Sequence, residues 1–203
     1  PQALIGSNHH LAPNPGEDFQ MFEKDLPGRS TKSFATSADD IGNLPLEVCE
    51  TINGSWGFNL KDRKHKSKKE LVQYLIKAAG YDSNLLLNVG PMPNGKIQEE
   101  HIKSLKEIGD WIKVNGETIY GTIRGPIDPT DEIASTQKDN TIYIHLLDNR
   151  KTYFIEGYNP KIKKISYYHS NKKVKYQKTK SGLIINVDDN ELDEIDTIIE
   201  LEI

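Results

Sequence analysis

Apolar residues follow two different rhythms along this chain, helical in its first part and alternating in its second. Ser67-Lys68-Lys69-Glu70 is a capping box, in which the serine hydroxyl and the Glu70 carboxylate each satisfy an orphan amide of a first helical turn. Leu71, Leu75 and Ala78, with Val72, Ile76 and Ala79, continue at helical spacing, and Gly80 closes the segment. Leu85-Leu86-Leu87-Asn88-Val89 is an unalternating apolar run bounded by Gly90-Pro91, the pattern of a strand buried on both faces of a parallel sheet. A second helix is predicted from about Gln98 to Val114, with Ile102, Leu105, Ile108 and Ile112 on one face and Asn115-Gly116 as its stop. Upstream, Ala3–Gly6 reads as a short buried strand and Leu44–Ile52 as another, closed by the Asn53-Gly54 turn. Between them Ser7 to Asn43 is polar and rich in Pro, Gly, Asn and Asp, and reads as a long loop of the kind that is usually functional or disordered. Strand, helix, strand, helix in this order argues for βα units.

Beyond Gly125-Pro126 the pattern changes. Thr141–Leu147, Thr152–Ile155, Ile162–Tyr168, Lys172–Tyr176, Leu183–Val187 and Thr197–Ile203 are short runs of Ile, Tyr, Val and Thr separated by turn residues. Such runs predict an antiparallel sandwich. The reading is therefore α/β in residues 1–125 and a β-sandwich in residues 126–203, long enough together to bury cores.

Composition narrows the function. The chain is 35% hydrophobic and 28% charged with a formal net charge of −4, and its lysines are scattered among acids, so nucleic acid is not expected as a partner. The basic run from Lys61 to Lys69 reads as a solvated loop and helix start. No apolar run reaches the roughly eighteen residues of a membrane helix. Cys49 is the single cysteine, which excludes an internal disulfide and a thiolate metal cluster. The chain opens on Pro1 directly before an apolar strand, so it is read as starting partway through a domain, with any signal peptide upstream.

Candidate chemistry lies in the long loop, whose His9, His10, Glu17, Asp18, Glu23 and Asp25 follow a predicted strand end. In a (β/α) barrel such loops build the active site, and carboxylates there can serve as general acid and base. Adjacent histidines in extended chain point to opposite faces, and no third residue has ligand spacing, so no metal is expected. Trp56, flanked by Gly54 and Gly57, would leave an indole face open to the apolar side of a sugar, although a core tryptophan reads equally well.

The stretch Leu46-Glu47-Val48-Cys49-Glu50-Thr51-Ile52-Asn53-Gly54-Ser55-Trp56-Gly57-Phe58-Asn59 resembles the α-L-fucosidases of glycoside hydrolase family 29. Those show W/L-E-x-C-x-T/G-x-x-x-S-W/F-G-Y-N here. The likeness continues through Lys66-Ser67, Asn84–Pro91, Gly95-Lys96-Ile97, Ile108–Trp111 and Asn115–Thr122, covering about residues 4–125. It implies the later part of a (β/α)8-like catalytic barrel and a retaining enzyme that needs no cofactor. It implies a fucosylated glycan as substrate and the missing half of the barrel as partner, and leaves oligomerisation open. No residue of the chain matches the family's aspartate nucleophile, so that segment is expected upstream and the isolated chain is expected to be inactive. For the acid/base, Asp18-Phe19-Gln20-Met21-Phe22-Glu23 fits the pattern of the main subfamily and points to Glu23. Aligning a second subfamily's Asn-Glu-Gly-Gly on Pro15-Gly16-Glu17 points instead to Glu17. His10, with His9 beside it, stands where many members have a sugar-binding arginine, and Trp56 matches an aromatic near the fucose methyl. Glu47, Asn88 and Trp111 also match family positions and read as packing residues. The family places such enzymes in the periplasm, outside the cell or in the lysosome. The rival reading is a carbohydrate-binding or structural β-sandwich on an inactive half-barrel, which exposed coplanar tyrosines among Tyr143, Tyr153, Tyr167, Tyr168 and Tyr176 would favour.

Overall fold

The computed structural model describes residues 3–8, 12–28 and 41–203, which divide into two compact units, Pro1–Val114 and Asn115–Ile203. In the first, β1 (Gly6–Ser7), β2 (Phe19–Glu23), β3 (Leu46–Thr51) and β4 (Ser83–Asn88) form one sheet in that order. Every neighbouring pair is parallel. α1 (Lys68–Gly80) crosses from β3 to β4, and α2 (Glu99–Asn115) follows β4. The capping box forms as expected: Glu70 N–H donates to Ser67 Oγ at 3.2 Å and Ser67 N–H to Glu70 Oε2 at 2.7 Å. Such a cap contributes about 1 kcal/mol.

Register explains the two faces of the sheet. Phe22, Val48 and Leu85 stand on one rung, and this side packs with Ala78 and Tyr74 of α1. Alternate residues look the other way, so Glu23, Cys49 and Leu86 share the next rung on the opposite face. Leu86 is 50% exposed, which corrects the expectation of a β4 buried on both faces. The helix covers one side only.

β2 is a second correction, since it lies inside the stretch expected to be loop. Its buried positions are Gln20 and Phe22, whereas Phe19 and Met21 are only partly covered. The buried amide is paired, Gly42 N–H donating to Gln20 Oε1 at 3.0 Å, which makes a polar residue tolerable at a core position. α2 is rotated from its expected face: His101, Ser104, Ile108 and Trp111 are buried, while Leu105 is exposed.

The second unit holds β5 (Ile123–Arg124), β6 (Ile133–Lys138), β7 (Thr141–Leu146), β8 (Thr152–Glu156), β9 (Lys164–Tyr167), β10 (Lys175–Lys178), β11 (Gly182–Asn186) and β12 (Thr197–Glu202). They make a five-stranded sheet, β5-β6-β7-β12-β9, and a three-stranded one, β10-β11-β8, with all pairs antiparallel. Ile144 and Leu201 of the larger sheet and Ile155, Leu183 and Ile185 of the smaller enter one core, so the unit is a sandwich. Tyr143, Tyr153 and Tyr167 are buried and only Tyr176 of the five is exposed, so no row of coplanar tyrosines faces solvent. Among the described residues no helix is long and apolar enough to cross a membrane, and no three His, Cys, Asp or Glu cluster as a metal site.

His101 generates a stability prediction. It is 1% exposed, neither ring nitrogen has a hydrogen-bond partner, and the His65 ring meets it edge-on with centroids 5.5 Å apart. Burial, then His65, holds its pKa below the ordinary histidine value, against the opposite pull of Glu100 and Asp62. The unfolded chain takes up a proton near the ordinary value of about 6.5 that the folded chain refuses. Its contribution is therefore fully present above that value and is lost as pH falls from it through the lower folded-state value. The urea midpoint of the chain should drop on acidification from about pH 7 to about pH 5, and less steeply in His101→Leu. Equal slopes in the two proteins would contradict this.

Candidate active site

Four parallel strands end on the same edge, and the polar side chains at that edge converge. Asn8 directly follows β1, Glu23 ends β2 with Lys24 just after it, Gly54–Trp56 follow β3, and Asn88 ends β4. Glu23 is the centre of this group. Asn8 Nδ2 donates to its Oε2 at 2.7 Å and Trp56 Nε1 donates to its Oε1 at 2.9 Å. Two neutral donors on opposite oxygens fix the plane of the carboxyl group.

The loop that brings Trp56 to Glu23 is tied at several points. Lys24 has a left-handed backbone, φ 59°, and its Nζ donates to Gly54 O at 2.9 Å while lying 5.0 Å from the Trp56 ring centroid. A cation over an indole face is attractive. From β4, Asn88 Nδ2 donates to Trp56 O at 2.7 Å. Gly90 permits the close approach, because a Cβ there would stand 2.6 Å from the Gly57 carbonyl carbon. Ser55, beside the Asp62 carboxyl, favours its charged form and holds it below the usual carboxylate range. At the base of the loop Lys66 Nζ reaches Thr51 O at 2.7 Å and Glu50 Oε1 at 3.2 Å. Beside Glu23 on its rung, Cys49 is buried, and burial, followed by the Glu23 and Glu47 carboxylates, pushes its thiol pKa up.

The other sequence candidates are placed elsewhere. Glu17 precedes the start of β2, at the opposite end of that strand from Glu23. Its oxygens close its own turn, accepting from Asn14 N at 2.9 Å and Asn14 Nδ2 at 3.1 Å. Asp18 joins β1 to β2, its Oδ2 accepting from Ile5 N at 2.8 Å. Asp25 is buried at 6% exposure, and Glu47 accepts from Asn84 Nδ2 at 2.9 Å on the face away from α1. His9 and His10 lie outside the described residues. Trp56 is 37% exposed, neither a core tryptophan nor free on both faces, since Lys24 covers one. Sequence reasoning passed over Asn8 and Lys24. Their only signal was adjacency to a strand end.

Comparison with known proteins follows the same line. The family model Alpha-L-fucosidase matches residues 1–117. The α-L-fucosidase of Dictyostelium discoideum is 33% identical over 96 residues, 44% of this chain and 21% of that protein. The human plasma α-L-fucosidase is 38% identical over 79 residues, 37% of this chain and 17% of that protein. The solved structure of α-L-fucosidase isoenzyme 1 from Paenibacillus thiaminolyticus superposes with a TM-score of 0.75 at 30% identity, over 91% of this chain and 45% of that one. The chain belongs to the α-L-fucosidase family. It spans about a fifth of the length of these curated relatives and under half of the solved chain.

The Glu23–Trp56 contact is testable directly, because the chain has only two tryptophans, Trp56 and Trp111. Glu23→Gln should shift the Trp56 indole N–H resonance and speed its exchange with solvent, leaving that of Trp111 in place. An unmoved Trp56 resonance would contradict the hydrogen bond.

Proposed function

We propose that this chain supplies the acid/base half of a retaining α-L-fucosidase site, on the later strands of a (β/α)8-like barrel. The observation that carries the reading is Glu23 itself, a carboxyl group at the carboxyl end of a parallel strand with each oxygen held by a neutral donor. Ligand sites of barrels form at that edge. Four parallel strands, with a helical crossover from β3 to β4, in a chain belonging to the α-L-fucosidase family, support the barrel assignment.

In the first step Glu23 gives its proton to the glycosidic oxygen as the bond to the fucose anomeric carbon breaks and a carboxylate nucleophile bonds to that carbon. In the second step Glu23, now a carboxylate, takes a proton from water as the water oxygen displaces the nucleophile. Fucose leaves and both carboxyl groups return to their starting states. Retaining chemistry of this kind sets the two carboxyls about 5–5.5 Å apart. We assign the nucleophile to a segment outside these 203 residues, since the chain covers 45% of the solved fucosidase it resembles. Trp56 offers the indole face opposite Lys24 to the sugar methyl, and His9 and His10 are assigned to the sugar hydroxyls. Glu17 is not favoured, as its position at the far end of β2 removes it from the edge that collects Asn8, Trp56 and Asn88.

Kinetics separate the two glutamates. In a protein that joins this chain to the remaining barrel strands, Glu23→Ala should lower kcat/KM for natural fucosides by about 10²–10⁴, the usual share of a general acid. It should spare glycosylation by aryl fucosides with good leaving groups, and azide should restore turnover by replacing the base-activated water. Glu17→Ala should show a smaller loss that is independent of leaving group. Steep leaving-group dependence and azide rescue in Glu17→Ala alone would move the acid/base to Glu17. The 203-residue chain by itself should not turn over aryl fucosides, and robust activity of a homogeneous preparation would contradict the assignment of the nucleophile.

A further inference from the structure

Between Glu156 and Asp188 the chain has no acidic residue and no arginine, yet it carries Lys161, Lys163, Lys164, Lys172, Lys173, Lys175, Lys178 and Lys180. Eight positive charges in one stretch stand out in a chain whose net charge is −4. The fold gathers five of them, Lys163, Lys164, Lys172, Lys173 and Lys175. β9 is the edge of the five-stranded sheet and β10 the edge of the three-stranded one. The chain passes from one edge to the other through a turn in which Tyr167 N–H donates to Lys172 O at 2.9 Å and Asn171 takes φ 56°. A bridge between Ser166 and Lys173 fixes the crossing.

A groove of two adjoining depressions that share Lys173 and Tyr176 lies on this side of the sandwich, one lined also by Lys175 and the other by Lys163 and Lys164. Tyr176 is 37% exposed, and Val174 beside it is buried. All eight lysines are exposed. Lys172 is paired with Glu191 at 2.6 Å, and no other lysine of the eight is ion-paired among the described residues. Acids stand at the rim: Glu202 faces Lys164 across the β9–β12 ladder, and Asp188 and Glu191 lie beyond Lys172 and Lys175. Lys163 Nζ is turned to Ile203 O at 2.8 Å.

Lysines on edge strands also keep sheets from pairing with one another. That role does not account for an aromatic ring set among them. A half-exposed tyrosine offers a flat apolar face to a pyranose ring, and ammonium groups around it pair with charges on the same sugar. The absence of arginine, the side chain whose planar fork best matches phosphate, argues against a nucleic-acid surface. We propose that this groove of the second unit binds an anionic saccharide, with Tyr176 stacking on a sugar ring and the lysines pairing with carboxylate or sulfate substituents. The binding goes beyond the hydrolytic reading and makes no use of Glu23.

The test is affinity electrophoresis of the full 203-residue chain at low and at physiological salt. Gels contain dextran sulfate, polygalacturonate or neutral dextran, and duplex DNA is run as a separate ligand. Retardation by dextran sulfate, polygalacturonate or both, without retardation by neutral dextran, supports the proposal, and the two anionic arms distinguish sulfate from carboxylate. Lys173→Glu with Lys175→Glu should weaken binding at least about tenfold at low salt, and Lys173→Arg should keep it. Tyr176→Ala should weaken it about threefold to tenfold with an unchanged salt dependence, because stacking is not screened. These side chains are exposed, so far-UV circular dichroism should be unaltered. Glu23→Gln should bind as the native chain does, which separates this site from the hydrolytic one. No retardation by either anionic glycan, equal retardation by neutral dextran, or binding of duplex DNA as tight as that of glycan and unaffected by Tyr176→Ala would each overturn the proposal.

Discussion

Parallel pairing of β2 between β1 and β3 is the constraint on which the site depends. Because the strands run the same way, their carboxyl ends share one edge, and every residue at that edge arrives from a different part of the chain. Asn8, Glu23, Trp56 and Asn88 are separated by tens of residues and meet only because the register aligns the strand ends. A one-residue slip of β2 would exchange Glu23 with Phe22, turning the carboxylate toward α1 and the phenyl ring away from its core. Burial of Phe22 against Val48 and Ala78 therefore holds Glu23 on its own face. Loss of such an aromatic from a core costs about 3–5 kcal/mol, far more than any single hydrogen bond at the edge.

Glu23 is oriented by two neutral donors, Asn8 Nδ2 and Trp56 Nε1. Lys24 is the adjacent residue, yet its left-handed backbone sends the ammonium to Gly54 O and the indole face. The same indole is then committed twice, by its N–H to the carboxyl and by one face to Lys24, which leaves a single face for a ligand.

Much of this was legible in the residues. α1 announced itself through Ser67 and Glu70, β3 through its Asn53-Gly54 stop, and the sandwich through alternating Ile, Tyr and Val. β2 and β6 were not legible, and for one reason. Polar or small residues take buried positions in both, Gln20 beside Phe22 in the first and Ala134, Ser135 and Thr136 in the second. Hydrogen bonds rather than apolar side chains make them fit: Gly42 N–H to Gln20, Ser135 Oγ to Ile127 O at 2.9 Å and Thr136 Oγ1 to Thr118 O at 2.6 Å. Leu85-Leu86-Leu87 misled in the opposite direction, because an apolar run says nothing about which face a helix will cover. Glu23 stood out only through its likeness to a family pattern. Its partnership with Trp56, 33 positions away, needed the fold.

The proposed chemistry depends on the edge that Glu23 occupies, and the most direct measurement is a structure of an unhydrolysed fucoside bound to a protein that joins this chain to the rest of the barrel. The glycosidic oxygen should lie within about 2.6–3.2 Å of a Glu23 carboxyl oxygen, with the sugar methyl against the Trp56 face opposite Lys24. A fucoside whose glycosidic oxygen sits instead beside Glu17, or away from the carboxyl ends of β1 to β4, would contradict it.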